Sequence, residues 1–131
     1  MNRPIKFRVW DKLAERMIYP HNDNQQHFII DLNGRFHNLQ NGSGGDDYVI
    51  QQYTGLNDSN DDPIYEGDIL KNHYDVGNNI IGQVLYESDH GGYIFQWKRK
   101  GRGQDYKNLN CDVAFESVIV GNIFENPELL N

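Results

Sequence analysis

Side chains that could catalyse a reaction or bind a metal are scattered along this chain of 131 residues. Five histidines lie mostly in polar stretches at irregular spacing, and there is a single cysteine, Cys111. The histidines are His21, His27, His37, His73 and His90. No two of them have the spacing that places metal ligands on one face of a helix. A Cys111–His nucleophile pair stays open, because such partners meet only in the fold. The sequence therefore predicts no catalytic residue, no metal ligand and no cofactor.

An acidic stretch, residues 57–62, resembles the start of a calcium-binding loop. Oxygen-bearing side chains at alternate positions from Asp58 onward fit the first ligands of an EF-hand. The position that needs glycine is Pro63, and the position of the closing glutamate is Ile69. We interpret the stretch as a solvated turn, because Asn, Asp, Ser and Pro favour turns for backbone reasons.

Short segments with alternating apolar and polar residues predict a mainly β protein. The predicted strands are residues 5–10, 17–19, 28–32, 35–39, 48–53, 64–70, 80–87, 93–98 and 118–124. Asn33-Gly34 predicts a type I′ turn, in which both central residues have positive φ. Gly82, inside a predicted strand, indicates a bulge or a close backbone approach.

Three further segments have less regular patterns. Residues 71–79 are polar and are predicted to form a loop. Residues 109–115 fit either a strand or a single helical turn. Asn126-Pro127 predicts a helix N-cap followed by the first helical residue.

The Gly-rich stretch at residues 40–47 predicts a boundary between two parts of the chain. We expect an amino-terminal β-hairpin extension at residues 1–47 and a barrel domain at residues 48–131. Trp10, in the first hairpin, is interpreted as core, with an anchor in an interface as the alternative.

Three blocks of sequence resemble the YopX family of phage and prophage proteins. They are KFRVWD at residues 6–11, TGLND with IYEGDIL at residues 54–70, and VIVGNIFENPELL at residues 118–130. The resemblance implies a small SH3-like β-barrel in the carboxy-terminal part. It implies no activity and supplies no catalytic residues. We therefore expect a non-enzymatic accessory protein that acts as an interaction or scaffold module on an unidentified phage or host protein.

The net charge is −7, and the basic and acidic side chains are unevenly distributed along the chain. Residues 17–97 contain two basic and twelve acidic side chains, whereas the two flanking segments together carry +3. Nucleic-acid binding through the basic segments 3–16 and 98–107 is the alternative function. Its expected contacts are Trp97, Lys98, Arg99, Lys100 and Arg102, because basic residues beside aromatics grip single strands. A solvated hairpin tip is the simpler interpretation of these residues.

The carboxy-terminal block, residues 118–130, is rich in aliphatic side chains. One small barrel can bury one face of such a strand, so the other face needs a cover. We expect a second copy of the chain to supply it in a homo-oligomer, through Val118, Val120, Phe124, Leu129 and Leu130. The amino-terminal hairpin is the alternative cover.

The location of the protein is expected to be the cytoplasm of a bacterial host cell. No apolar run approaches 18 residues and the amino-terminal residues are charged throughout, so we expect neither a membrane partner nor a signal peptide. A single cysteine allows no internal disulfide and fits a reducing compartment.

Overall fold

A computed structural model describes residues 4–19, 27–75, 78–99, 101 and 103–131, and these residues form a mainly β protein, as predicted. The described part contains eleven strands, one α-helix and two 3₁₀ turns. It divides into two compact units, an amino-terminal unit, Pro4–Gln52, and a carboxy-terminal unit, Tyr53–Asn131. The limits expected from sequence, 1–47 and 48–131, stay a prediction. None of the described helices is long and apolar enough to cross a bilayer.

The amino-terminal unit is built on strand β1, Phe7–Asp11, which pairs antiparallel with β2, Arg16–Ile18. Its other edge pairs with residues 48–52 of strand β5, Tyr48–Asn57. Val9 and Ile18 lie in the core of this unit, and Trp10 is only 8% exposed, so its interpretation as core is confirmed.

A separate hairpin joins β3, Phe28–Ile30, to β4, Phe36–Asn38. The predicted type I′ turn is wrong, since Gly34 has a positive φ (78°) but Asn33 does not. The Asp31 Oδ1 atom accepts hydrogen bonds from the N–H groups of Asn33 and Arg35, and the Gly34 N–H donates to the Asp31 carbonyl. These bonds stabilise a three-residue loop in which only the last residue, Gly34, is left-handed.

The carboxy-terminal unit contains a five-stranded antiparallel sheet. Its strands are β7 (Asp68–Asp75), β8 (Asn78–Glu87), β9 (Gly92–Arg99), β10 (Gly103–Asn108) and β11 (Ser117–Asn122), and their order is β10-β9-β8-β7-β11. The end of β5 pairs with a short strand β6, Pro63–Tyr65, which precedes the sheet. The core of the unit consists of Ile64, Leu70, Val84, Phe95, Val113 and Ala114.

The loop predicted at residues 71–79 is wrong, because β7 continues to Asp75 and β8 begins at Asn78. β7 pairs with β11 through residues 68–72, and its pairing with β8 continues to Asp75. Asn72 is buried, and its amide donates to the Val113 carbonyl and to Ser117 Oγ at 3.2 and 2.7 Å. A polar residue is tolerated there because both of its hydrogen bonds are made inside the unit.

The ambiguous segment before β11 is a helix, α1, Cys111–Phe115. Asn110 caps it, since its side-chain oxygen accepts the Val113 N–H at 3.0 Å. Val113 and Ala114 are buried in the core. Of the two structures that the sequence pattern allowed, a strand and a single helical turn, the helical turn is the one formed.

Candidate functional site

The acidic turn, residues 57–62, closes onto the last strand of the sheet. Asp58 is 5% exposed, and its Oδ1 atom accepts the N–H groups of Asn60 and Asp62, both at 2.9 Å. Its Oδ2 atom accepts the Ile119 N–H at 2.9 Å, and the Ser59 N–H donates to the Ser117 carbonyl at 2.9 Å. These bonds cover main-chain groups on the side of β11 that faces away from β7. The interpretation as a turn is confirmed, and the turn has a structural task that the sequence did not indicate.

A second hydrogen-bonded chain runs through the base of the same turn. The Tyr53 hydroxyl donates to Asn57 Oδ1, and Asn57 Nδ2 donates to Asp61 Oδ1 at 2.9 Å. Burial, and then the negative charge of Asp61, raise the pKa of Tyr53 above its ordinary value of 10.0. The phenol is therefore neutral near pH 7 and serves as a donor, not as a base.

A second buried carboxylate among the described side chains of this unit, Asp68, shapes the bend between β6 and β7. It is 2% exposed, and its Oδ2 atom accepts the Tyr65 N–H at 2.8 Å. Gly67 makes the bend possible, because its φ is 87°. Asp68 thus acts as a backbone cap.

The described histidines and Cys111 lie in different surroundings. His37 Nε2 contacts Asp31 Oδ2 at 2.9 Å, and this bond is the main cause that lowers the pKa of Asp31 below its ordinary value. The other ring contacts are His73 with Asn79, His90 with Tyr106 and His27 with Phe28. Cys111 is exposed, and no hydrogen bond in the described part joins it to a histidine. Among those same residues, no group of three or more His, Cys, Asp or Glu side chains is placed to hold a metal. His21 lies outside the described residues.

The predicted self-association residues lie on β11 and in the segment that follows it. Val120 is 38% exposed, whereas Val118, Phe124, Leu129 and Leu130 are half-buried. The 3₁₀ turn Pro127–Leu130 contacts β8, so the chain itself covers part of the block. Whether a second copy covers the rest stays a prediction.

The side chain of Asn126 forms a hydrogen bond near the end of this block. Asn126 occupies the predicted N-cap position before Pro127, but its side chain makes no cap hydrogen bond to the turn that follows. Its Oδ1 atom instead accepts the Asn122 N–H at 3.2 Å. A Cβ atom at Gly121 would lie 2.5 Å from that same oxygen, which explains why the apolar run is interrupted by glycine. The Asn126 side chain thus bonds back to the end of β11 in place of capping the turn that follows.

The predicted nucleic-acid contacts lie at the end of β9. Trp97 packs against the core, with its ring centroid 5.4 Å from that of Phe95. Arg99 Nη1 donates to Asp105 Oδ2 at 3.2 Å, and Lys98 is exposed. The structure does not bring these three side chains to one free surface. Lys100, Arg102 and, in the other basic segment, Arg3 lie outside the described residues.

An apolar groove of about 360 Å³ in the amino-terminal unit was not predicted. Its lining includes Phe7, Phe28 and Phe36, together with two exposed side chains, Ile5 (63%) and Ile29 (41%). The apolar residues of β1 and β3 were the available signal, but they come together only when two separate hairpins pack against each other.

These features describe an all-β protein of two compact units whose buried polar groups maintain the fold. A profile of the family described as "YopX protein" matches residues 6–131, and the chain belongs to this family. The resemblance carried by the three sequence blocks is thereby confirmed. The chain is also similar to the crystal structure of protein EF1440 from Enterococcus faecalis, with a TM-score of 0.58 and 24% identity. That match covers 99% of this chain and 100% of the other, and it shows the fold alone. A comparison with curated protein sequences found no match.

Proposed function

We propose that the protein is a non-enzymatic accessory protein of a phage or prophage, which acts by protein contacts in the cytoplasm of the host cell. The observation that carries this proposal is the use made of its buried carboxylates. Asp58 and Asp68 both accept main-chain N–H groups that hold turns in place. Groups committed in this way maintain shape, and shape is what a binding or scaffold module requires.

We further infer that the carboxy-terminal unit is an SH3-like barrel. Its support is a five-stranded antiparallel sheet with a one-turn helix, α1, directly before the last strand. Folds of this type carry many unrelated functions, so the fold agrees with a scaffold without selecting its partner.

Self-association through the carboxy-terminal block is part of this proposal. Val120 supports it, because it is a β-branched residue exposed on an edge strand of the sheet. Light scattering after size exclusion should give a multiple of the 15.2 kDa chain mass at micromolar concentration. A mass of one chain would refute self-association.

A pair of variants tests the surface itself. Val120→Lys should lower the assembly mass, because a charge would be buried in the contact. Phe115→Lys is the matched control, since Phe115 is 76% exposed and lies outside the block. Equal masses for the two variants and the wild type would remove Val120 from the interface.

Nucleic-acid binding through segments 3–16 and 98–107 is the second proposal. The exposed Lys98 favours it, whereas the packing of Trp97 and the pairing of Arg99 weigh against it. A gel shift that weakens steeply with salt, and that is lost on replacing Lys98, Arg99, Lys100 and Arg102 by serine, would support it. No shift at low salt with single- and double-stranded probes would reject it.

A further inference from the structure

Strand β10 lies at the edge of the five-stranded sheet, with β9 as its neighbour on one side. In the described part of the chain no strand pairs with the other side of β10. The Leu109 N–H donates to the Tyr93 carbonyl at 3.0 Å, and this bond sets the alternation of the ladder. Asp105 and Lys107 therefore direct their main-chain groups toward β9. The main-chain groups of Gln104, Tyr106 and Asn108 point outward, and all three residues are exposed.

One hydrogen bond independently confirms this alternation. The Tyr106 N–H, at the centre of the outward-facing row, donates to Asp105 Oδ1 at 2.9 Å. The donor is thus covered by a carboxylate that is itself 41% exposed and that also accepts Arg99. An exposed side chain can exchange this bond for another at little cost, so the edge is available for pairing.

The sequence of β10 is complementary to itself when two copies run antiparallel. About a centre at Tyr106, Gln104 faces Asn108 of the second copy and Asp105 faces Lys107 of the second copy. Tyr106 then faces Tyr106 of the second copy, and the two residues exchange main-chain hydrogen bonds. This fits the alternation above, in which the main-chain groups of Tyr106 point outward. The Asp105–Lys107 pairs occupy the positions where side chains across a ladder lie closest, and their charges are opposite.

We propose that β10 pairs with β10 of a second copy of this chain, with the two-fold axis passing through Tyr106. The pairing joins the two five-stranded sheets into one and is closed, because the same residues serve both sides. Two chains of net charge −7 repel each other at long range, so a contact needs a locally balanced segment. β10 provides one, with Asp105 and Lys107 as its charged side chains.

The proposal rests on the self-association proposed above and adds a second contact surface, at the opposite edge of the sheet from β11. An open groove of about 800 Å³ lies beside this edge and is lined by residues that include His90, Tyr93 and Tyr106. It leaves room for the side chains of a second copy. The exposed ring of Tyr106, 49% accessible, contacts His90 at a centroid distance of 5.0 Å and would be covered by the pairing.

Charge reversal tests the pairing directly. Lys107→Asp places like charges opposite each other twice, and we expect the dimer dissociation constant to rise by roughly tenfold or more. Adding Asp105→Lys restores opposite charges across the axis, so the double variant should recover the dimer. Lys98→Asp is the matched control, because Lys98 is likewise a strand lysine of this unit but lies on β9, off the edge. Sedimentation velocity measures the constants, and circular dichroism confirms that each variant is folded.

A disulfide provides a second measurement that does not depend on charge. Facing residues of a hydrogen-bonded antiparallel pair have Cα atoms about 5.5 Å apart, within the range of a disulfide. In a Cys111→Ser background, Tyr106→Cys should therefore form a covalent dimer on mild oxidation. Tyr86→Cys is the control, with a similar exposure of 52% against 49%, on β8 in the interior of the sheet.

The outcomes separate this proposal from the broader one. A dimer that is weakened by Lys107→Asp, recovered by the double variant and cross-linked at Tyr106→Cys supports β10 pairing. An oligomer that is insensitive to Lys107→Asp and gives no cross-link overturns β10 pairing while self-association stands. A single-chain mass for the wild type at every concentration overturns both.

Discussion

The strongest test of the structural argument is the replacement of Asp58 by alanine. This carboxylate is 5% exposed and accepts three main-chain N–H groups, two within the acidic turn and one, from Ile119, on β11. The change removes all three bonds at once. One of these bonds joins two segments that are 61 residues apart in sequence.

The magnitude follows from the surroundings of the three donors. The bond to the Ile119 N–H is charge-assisted and part-buried, so its loss costs about 2 kcal/mol. The N–H groups of Asn60 and Asp62 belong to exposed residues and can turn to water, so they add about 1 kcal/mol together. We expect the free energy of unfolding to fall by about 3 kcal/mol, and the melting temperature by roughly 10 °C. The free energy of unfolding of Asp58→Asn should lie between those of the wild type and Asp58→Ala. The single amide oxygen of asparagine can accept hydrogen bonds from the turn or from Ile119, but not from both.

Urea denaturation followed by far-UV circular dichroism measures the loss. Asp62→Ala is the matched control, because it removes the same charge from the same turn while Asp62 is exposed. A surface change of this kind should alter the free energy of unfolding by less than about 0.5 kcal/mol. If Asp58→Ala costs no more than Asp62→Ala, the carboxylate does not hold the turn to β11 and the reasoning is refuted.

Gly82→Ala should lower stability by about 1–3 kcal/mol, because a Cβ atom there would lie 2.4 Å from the Gln96 carbonyl oxygen. Gly92→Ala meets nothing within 4 Å, and a thermal melt that ranks the two variants equally would contradict the close approach. Asp31, whose pKa is lowered chiefly by His37, should titrate below 3.8 in a carbon-13 NMR experiment. The stability linked to Asp31 is present above its unfolded pKa and is lost as pH falls through the folded value, so Asp31→Asn should match the wild type in strong acid and differ near pH 6. A titration midpoint at or above 3.8 would contradict the bond to His37.

The sequence by itself determined the structural class of the protein and the positions of several turns. Period-two patterns gave a mainly β chain because one face of each strand must be buried. Local turn chemistry located the hairpin between β3 and β4 and the turn at residues 57–62. The three motif blocks identified the family, since they span nearly the whole chain.

Only the tertiary structure decided which polar residues belong inside. Residues 71–75 look like a loop, yet they form a strand because β8 pairs with them on one side and β11 pairs with Lys71 and Asn72 on the other. Asn110 could start a helix or continue a strand, and burial of Val113 and Ala114 selected the helix. Asp31 replaced the expected type I′ turn by a different one, since its carboxylate bonds two main-chain donors.

The candidate surfaces depended on the fold in the same way. A period-two pattern identifies a strand but not its neighbours, so neither the free edge of β10 nor the apolar groove of the amino-terminal unit could be located from sequence. Asp58 resembled a solvated turn residue because its partner, Ile119, is distant in the chain. Local preference reaches only a few residues, whereas burial and hydrogen-bond satisfaction are settled between segments that meet on folding.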